Sequence, residues 1–324
     1  MNDLDKKMGI TRFFENKIVE FICSVFLFAG VLIVILTPDI GFFKWTAGFA
    51  IQTTILFIIA GLFFLMVSQT RLLFLSFFCA ACLSLFLKSN FNPNLKLPAK
   101  SNEEKLSFAL INLIDPESLT DNIFNILKYK PDVICLYKQD SVDANTLVKT
   151  IKEQFPYSLN FQGVSFKQLV FSKHPFISED TIMIEGNPQP LYSIKPTGSN
   201  KAIYISNTFV KDPWKTDESA NYRFNLSRLI VFLKPIQSPL LIAGNFNSVA
   251  WSGEMNYFRK SLSLENSRRA FFPSLPNLME VPKDHIFFNK YFNCVDFHEF
   301  RDVQGTHLGI FGTFQLSNPE SHVN

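Results

Sequence analysis

Two asparagines near position 245 are the first side chains in this chain whose spacing suggests a site. They follow an apolar run, Leu240–Ala243, that stops at Gly244. Asn245 and Asn247 then flank Phe246. A buried strand that ends in this way places short polar side chains at its tip, where pockets tend to form. Because an amide donates and accepts hydrogen bonds but carries no charge, this tip is better suited to orient a phosphate or a water molecule than to hold a metal.

The elements that must position this stretch alternate between strand and helix patterns over residues 106–324. Short apolar runs bounded by polar residues or proline predict strands at Leu106–Leu113, Val133–Leu136, Gln168–Ser172, Ala202–Asn207, His285–Phe288 and Gly309–Leu316, and near Val295. Helical spacing predicts helices at Leu119–Lys128, Thr146–Phe155, Tyr222–Leu233 and Gly253–Leu262. This mixture indicates an α/β or α+β domain of about 220 residues, which is large enough to bury its own core.

The first hundred residues carry most of the apolar excess of a chain that is 47% hydrophobic and only 18% charged. Three successive runs lack any charged residue: Phe21–Leu36, Trp45–Met66 and Leu72–Leu87. A helix that crosses a membrane needs about 20 residues, and each run reaches that length alone or with its flanking residues. The sequence therefore predicts a tail at 1–18, three transmembrane helices at 19–88 and a polar linker at 89–105.

Other interpretations of the apolar runs fit less well. A signal peptide needs small residues at a cleavage site, and Thr37-Pro38-Asp39 is a poor one. Lysine and arginine are divided equally between the two sides, so the charges do not fix the orientation. An odd number of spans still places the N-terminus and the large C-terminal domain on opposite sides. The spans contain no charge of the kind that marks an ion or substrate pathway, which argues against a transporter.

Net charge and cysteine spacing exclude some further classes. A formal net charge of +3 does not indicate a clear nucleic-acid-binding surface. Cys79 and Cys82 have C-x-x-C spacing, but no second pair completes a zinc site and both lie in an apolar run. The five cysteines do not form the framework of a disulfide-rich secreted domain.

Five stretches of the soluble part, in this order, resemble motifs of the endonuclease/exonuclease/phosphatase superfamily, which has the DNase I-like fold. They are residues 131–136 (Pro-Asp-apolar strand), 170–175 (Ser-Arg-x-Pro turn), 243–247 followed by Trp251-Ser252 (Gly-Asp-Phe-Asn), 283–286 (Ile-Asp-His-Ile) and 305–307 (Ser-Asp-His). The resemblance covers Leu106 to Leu316. It implies a four-layered α/β sandwich that hydrolyses phosphoesters with Mg²⁺. Three preceding spans are similar to a bacterial membrane-anchored subgroup, which implies a C-terminal domain outside the cytoplasm and an inner-membrane location.

Several positions that carry charge in that family are substituted here. Asn112 matches the early metal-site asparagine, but the metal-binding glutamate falls on Lys138, whose ammonium group repels a divalent cation. The family histidine after Asn207-Thr208 is Phe209. The water-activating aspartate is Asn245, which cannot accept a proton at physiological pH. Asn112 is therefore expected to be a vestigial metal ligand.

Other positions of the family site are kept. The resemblance assigns catalytic roles to Asn247, Asp284 and His307, and a substrate-binding role to His285. The aspartate that precedes the family histidine is Thr306, so the sequence predicts that His307 has lost its charged partner. His307 can equally be a hydrogen-bonded histidine at a strand end, and Asp284 can satisfy a turn.

Lys138 remains open to two interpretations. It can bind a phosphate without a metal, or it can pair with Asp140 or Asp284 in an inactive pocket. Asp140 shares its strand face and offers a carboxylate if the register shifts. His174 fits a structural role in a turn, and His298 and Arg301 match no motif.

The sequence thus predicts an integral membrane protein whose soluble domain keeps the family pocket and loses most of its charge. The first hypothesis is a pseudoenzyme that binds a phosphate-containing ligand or acts as a scaffold, with no metal cofactor. The second is an active phosphodiesterase or phosphatase with a rearranged Mg²⁺ site. The lipid bilayer is the one partner that the sequence itself implies.

Overall fold

A computed structural model describes residues 13–14, 16–37, 46–92, 104–113, 126–138, 145–164, 166–196, 201–211, 219–268, 280–302 and 305–317. Their contacts divide the chain into two compact units. The first unit contains residues 1–91, 251–255 and 270–281, and the second contains the rest.

Three apolar helices form most of the first unit. They are α1 (Lys17–Leu36), α2 (Ala50–Met66) and α3 (Thr70–Ser89). By length and composition, each is able to cross a membrane, and a helical turn that starts at Thr46 lengthens the second. The helices are those predicted from the uncharged runs. Helix α1 begins four residues before the predicted run because the Asn16 side chain caps it by accepting a hydrogen bond from the Ile18 amide at 2.9 Å.

The helices pack through small and apolar groups and turn large apolar side chains outward. The buried Ser76 hydroxyl of α3 donates to the Phe57 carbonyl of α2 at 2.9 Å, so its polar atom is satisfied inside the unit. Phe26, Met66 and Phe74 are all exposed on the outside of the helices. Exposed side chains of this size and number suit a hydrocarbon environment better than water.

Two six-stranded mixed sheets form the second unit. The first sheet has the order β11-β12-β1-β2-β4-β3 and the second has the order β5-β6-β7-β8-β10-β9. The strands are β1 (Lys105–Leu113), β2 (Val133–Lys138), β3 (Tyr157–Gln162), β4 (Lys167–Ser172), β5 (Phe176–Ile184), β6 (Asn187–Ile194), β7 (Ile203–Phe209), β8 (Leu240–Asn245), β9 (Leu264–Asn266), β10 (Asp284–Asn289), β11 (Phe292–Arg301) and β12 (His307–Leu316). Strands β1–β2 and β7–β8 pair in parallel, and the other neighbours are antiparallel.

The core lies between the two sheets, with a second apolar cluster outside the first sheet. Leu110 of β1 and Ile286 of β10 belong to the same buried cluster, although they come from different sheets. The second cluster includes Leu147 and Ile151 of helix α4 (Asn145–Lys152), which cover the outer side of the first sheet. Helices α5 (Ser219–Leu233) and α6 (Gly253–Ser261) complete the described helices. This arrangement confirms the α/β sandwich implied by the resemblance.

Most predicted elements are present with boundaries shifted by one to three residues, but four strands were missed. These are β3, β5, β6 and β9. Strand β5 is exposed along most of its length, and β6 is buried throughout despite its polar residues and two prolines, so neither shows a simple alternating pattern. Most of the predicted helix at Leu119–Lys128 lies outside the described residues.

Candidate functional site

Three polar side chains occupy one rim of the sandwich because they continue inward-facing rows of apolar residues. Side chains alternate between the two faces of a strand, so residues two apart share a face. Asn112 ends such a row on β1, Asn245 ends one on β8, and Asp284 begins one on β10. The apolar members of these rows are Leu106, Phe108 and Leu110 on β1, Leu241 and Ala243 on β8, and Ile286 and Phe288 on β10.

Strand register sets Asn245 and Asp284 side by side in the second sheet. Asp284 pairs with Asn245 across β10 and β8, and Phe209 pairs with Asn245 on the other side. His307 begins β12 in the first sheet and reaches the same rim from across the core. The structure thus brings together Asn112, Asn245, Asp284 and His307, all of which the sequence analysis selected.

His307 does have a charged partner, which corrects the prediction that it lost one. Its Nε2 atom lies 2.8 Å from Oδ2 of Asp284, and the Asn112 side-chain amide donates to the same oxygen at 2.5 Å. The Asp284 side chain is only 3% exposed, whereas His307 is 27% exposed. The substitution at Thr306 therefore leaves a different carboxylate in place. A buried carboxylate on an imidazole orients the ring and stabilises its protonated form.

The two asparagines of the Gly-Asn-Phe-Asn stretch build the turn that follows β8. The amide oxygen Oδ1 of Asn245 accepts a hydrogen bond from the backbone N–H of Asn247 at 2.9 Å. Asn247 adopts a positive φ of 50°, which asparagine tolerates better than most residues. Its side-chain amide donates to the Val210 carbonyl at 2.8 Å. Both predicted catalytic asparagines therefore shape the rim, and Asn245 stands beside Asp284 without a charge.

Gly244 is required by strand packing. A Cβ atom at this position would lie 1.8 Å from the Thr208 carbonyl oxygen on the neighbouring strand β7. Any side chain would force β7 and β8 apart at the row that carries Asn245.

Phe209 makes one side of the rim apolar. Its ring centroid lies 4.2 Å from that of Phe166 and 6.2 Å from that of Tyr137. The Tyr137 hydroxyl donates to the Thr208 carbonyl at 2.8 Å and so links the two sheets. The position at which the family carries a histidine thus belongs to an aromatic group with no proton to transfer.

His285 lies in the core beneath the rim. It is 1% exposed, its Nε2 atom lies 2.8 Å from the Ser248 carbonyl oxygen, and its ring stacks on Phe287. Burial, with a smaller contribution from Arg268, lowers the pKa of His285 to about 3. A neutral, buried imidazole of this kind supports the turn after β8, so we do not include it among the ligand-contacting residues.

The region around Lys138 is described only in part. Its backbone ends β2 and pairs with Leu113 and Lys167, which is the register that the Pro131-Asp132 stretch predicts. The Lys138 side chain and Asp140 lie outside the described part of the structure. The proposed roles of Lys138 and Asp140 therefore stay predictions.

The described donor set does not fit the Mg²⁺ ion that the resemblance implies. Mg²⁺ is held in proteins by one or two carboxylates and further oxygen ligands in an octahedron. Asp284 is the one described carboxylate at the row of Asn112 and Asn245, and its Oδ2 already accepts two hydrogen bonds. Its Oδ1 atom is buried and accepts none from described residues. No group of three His, Cys, Asp or Glu residues that could hold a metal occurs among the residues described.

Comparison with known proteins places the fold. The family model described as "Endonuclease/Exonuclease/phosphatase family" matches residues 118–312, which is more than half of the chain. This chain belongs to the endonuclease/exonuclease/phosphatase family. No curated protein matches it closely enough to indicate a narrower relationship.

Solved structures with the family fold agree with this assignment. The human Nocturnin catalytic domain, solved with a bound sulfate anion, is 15% identical with a TM-score of 0.52, and the match covers 66% of this chain and 95% of that domain. A family protein from Beutenbergia cavernae is 14% identical with a TM-score of 0.53, and the match covers 66% of this chain and 72% of that protein. At this level of identity the similarity concerns the fold alone.

Three charged residues near the family site were not predicted to belong to it. Arg268 forms an ion pair with Glu299, and Arg301 donates to the other oxygen of Glu299 at 2.9 Å. Burial lowers the pKa of Arg268 to about 10, which still leaves the guanidinium charged at neutral pH. The only signal in the sequence is that Phe297, Glu299 and Arg301 alternate along one strand, and that signal does not identify their partners.

Proposed function

We propose that this chain is a membrane-anchored member of its family that binds a phosphate-containing ligand at the rim and has lost efficient metal-dependent hydrolysis. The observation that carries the proposal is the single described carboxylate, Asp284, among uncharged amides where the family chemistry uses several acidic groups. Asn245 is the decisive neighbour, because an amide cannot act as a general base.

The residues that remain suit an anion. His307 is partly exposed and held by Asp284, so its protonated form is stabilised next to the rim. Side-chain amides add neutral donors, and the fixed charges of Arg268 and Arg301 lie nearby. The Nocturnin catalytic domain, which shares the fold, binds a sulfate ion, another tetrahedral anion.

The proposed location follows from the three apolar helices. Their length and composition favour insertion in a bilayer, with the soluble unit tethered at the surface. The resemblance to membrane-anchored bacterial proteins supports an inner membrane with the C-terminal domain outside the cytoplasm. The bilayer is then a permanent partner, and the proposed ligand is one that reaches a membrane surface.

A second candidate function is supported by the His307–Asp284 pair. A paired imidazole is what a phosphoesterase needs to act on the phosphate, and Asp140 lies in a part of the chain that the structure does not describe. On this alternative the protein is a phosphodiesterase or phosphatase that uses His307, Asp284 and a rearranged Mg²⁺ site. The two candidates differ in whether phosphoester turnover depends on His307.

Binding and turnover of the full chain, purified in detergent, distinguish them. Calorimetry with inorganic phosphate should show binding in the wild type that weakens about tenfold or more in His307→Ala, because a hydrogen bond to a charged group is lost. His298→Ala is the matched control, since His298 pairs with Asp296 on the surface of β11. Equal affinities in the wild type and in His307→Ala would contradict the binding role.

Turnover is measured on bis-p-nitrophenyl phosphate and p-nitrophenyl phosphate with Mg²⁺ or Mn²⁺. We expect rates that are the same for the wild type and His307→Ala, as for a contaminating activity. Robust hydrolysis that disappears in His307→Ala and persists in His298→Ala would refute the loss of catalysis and establish the second candidate.

A further inference from the structure

A closed ring of contacts joins Asp284 to His307 through side chains that lie outside the predicted site. On one side, the Arg268 guanidinium donates to the backbone carbonyl of Asp284 at 3.2 Å through Nη2. Its Nη1 atom forms an ion pair with Oε1 of Glu299. The ring therefore starts at the backbone of one member of the His307–Asp284 pair and leads to β11.

The other half of the ring leads from Glu299 to the residue before Thr306. Oε2 of Glu299 accepts a hydrogen bond from Nη2 of Arg301 at 2.9 Å. Nη1 of Arg301 donates to the Gly305 carbonyl at 2.8 Å. Gly305 lies two positions before His307, whose Nε2 atom closes the ring on Asp284 at 2.8 Å.

The loop that carries His307 is short and internally bonded, so a force on Gly305 is passed to the imidazole. The Gly305 amide donates to the Asp302 carbonyl at 3.1 Å, and the Thr306 amide donates to the Asp302 carboxylate at 2.7 Å. Gly305 has a φ of +88°, a conformation that favours glycine. These bonds leave the start of β12 little freedom to move independently of Arg301.

The ring also crosses between the two sheets twice. Arg268 follows β9 in the second sheet and Glu299 lies on β11 in the first, just as Asp284 and His307 lie on different sheets. The side chains of Arg268 and Glu299 are only 3% and 17% exposed. Breaking one member of a buried ion pair leaves a charge without compensation, so the link resists separation of the sheets next to the site.

We propose that Arg268, Glu299 and Arg301 are positioning residues that hold His307 within hydrogen-bonding distance of Asp284. They set the orientation in which the imidazole meets the ligand. The value of that orientation for phosphate rests on the proposed function, but the geometry of the pair does not. The ring explains why charged side chains are buried here, where apolar residues of similar volume would fill the same space.

The test uses variants that keep each charge and change its reach. Glu299→Asp shortens the carboxylate arm, and Arg301→Lys removes the fork that contacts both Glu299 and Gly305. Asp296→Asn is the matched control, because it disrupts a carboxylate pair on the same strand outside the ring. The full chain is labelled with ¹⁵N-histidine and purified in detergent. The readout is the His307 Nε2 proton, identified by its absence in His307→Gln, and its exchange with water.

We expect a hydrogen-bonded Nε2 proton in the wild type and in Asp296→Asn, with about tenfold faster exchange in Glu299→Asp and Arg301→Lys, since roughly one hydrogen bond is weakened. Exchange rates equal to the wild type in folded Arg301→Lys would overturn the proposal. If Glu299→Asp does not fold, Arg301→Lys decides alone, because Arg301 is more exposed, at 21%.

The same preparation separates this proposal from the proposed function. Binding of inorganic phosphate is measured on each variant by calorimetry. If the wild type binds no phosphate but its Nε2 proton responds to Arg301→Lys, the positioning role stands and the ligand assignment fails. Absence of a hydrogen-bonded Nε2 proton in the wild type would overturn the positioning role itself.

Discussion

Replacing Asn245 by aspartate tests whether a missing carboxylate separates this site from a metal site. The Asn245 side-chain oxygen accepts a hydrogen bond from the Asn247 amide, and an aspartate oxygen accepts the same bond. The turn after β8 is therefore preserved. The new charge stands directly opposite Asp284 across two antiparallel strands. We expect Asn245→Asp to be less stable without divalent cations and to gain a stabilisation by Mg²⁺ that the wild type lacks.

The size of the effect follows from the register. Directly opposed residues have Cβ atoms about 5 Å apart, and their side chains share one face. Two unit charges about 5 Å apart repel by roughly 3 kcal/mol at an effective dielectric constant of ~20 and by roughly 0.8 kcal/mol in water. Because Asn245 is half-buried, the destabilisation should lie between these values. A cation bound with a Kd of about 1 mM would restore about 1.4 kcal/mol at ~10 mM.

Thermal unfolding of the full chain in detergent measures this balance with EDTA and over a Mg²⁺ titration. A change of about 1 kcal/mol shifts the Tm of a domain of ~200 residues by roughly 2–4 °C. Asn160→Asp is the matched control, because Asn160 is exposed on β3. A wild-type Tm that rises with Mg²⁺ as much as that of Asn245→Asp would refute the argument that the wild-type site does not fit the ion.

Two further predictions concern the frame of the site. Gly244→Ala should destabilise the soluble unit by about 3 kcal/mol or more and weaken phosphate binding, because the added Cβ meets a backbone carbonyl at 1.8 Å; unchanged urea unfolding would contradict this. His285 is neutral when folded, with a pKa of about 3 against about 6.5 when unfolded, so its contribution is present above pH ~6.5 and is lost as the pH falls. His285→Gln should lose about 2 kcal/mol less than the wild type between pH 7 and pH 5, and equal acid sensitivity would show that another group governs it.

The sequence by itself determined the kind of protein and most of the site. Long uncharged runs can hardly be anything other than apolar helices, because no soluble core needs three of them in succession. The Gly-Asn-Phe-Asn stretch and the Asp284 and His307 motifs identified strand tips, because a strand that ends in polar residues must end at an edge of the core. The strands that it missed, such as β5 and β6, are those whose burial depends on neighbours that local pattern does not reveal.

Only the tertiary structure decided which of these side chains meet. Sequence alignment suggested that the substitution at Thr306 leaves His307 without a carboxylate, yet Asp284 reaches it from the other sheet. The Arg268–Glu299 ion pair is likewise a contact between two sheets, and no spacing along the chain encodes it. The physical reason is the same for both. Strand alternation fixes which face a residue occupies, whereas the packing of one sheet on the other fixes its partner across the core.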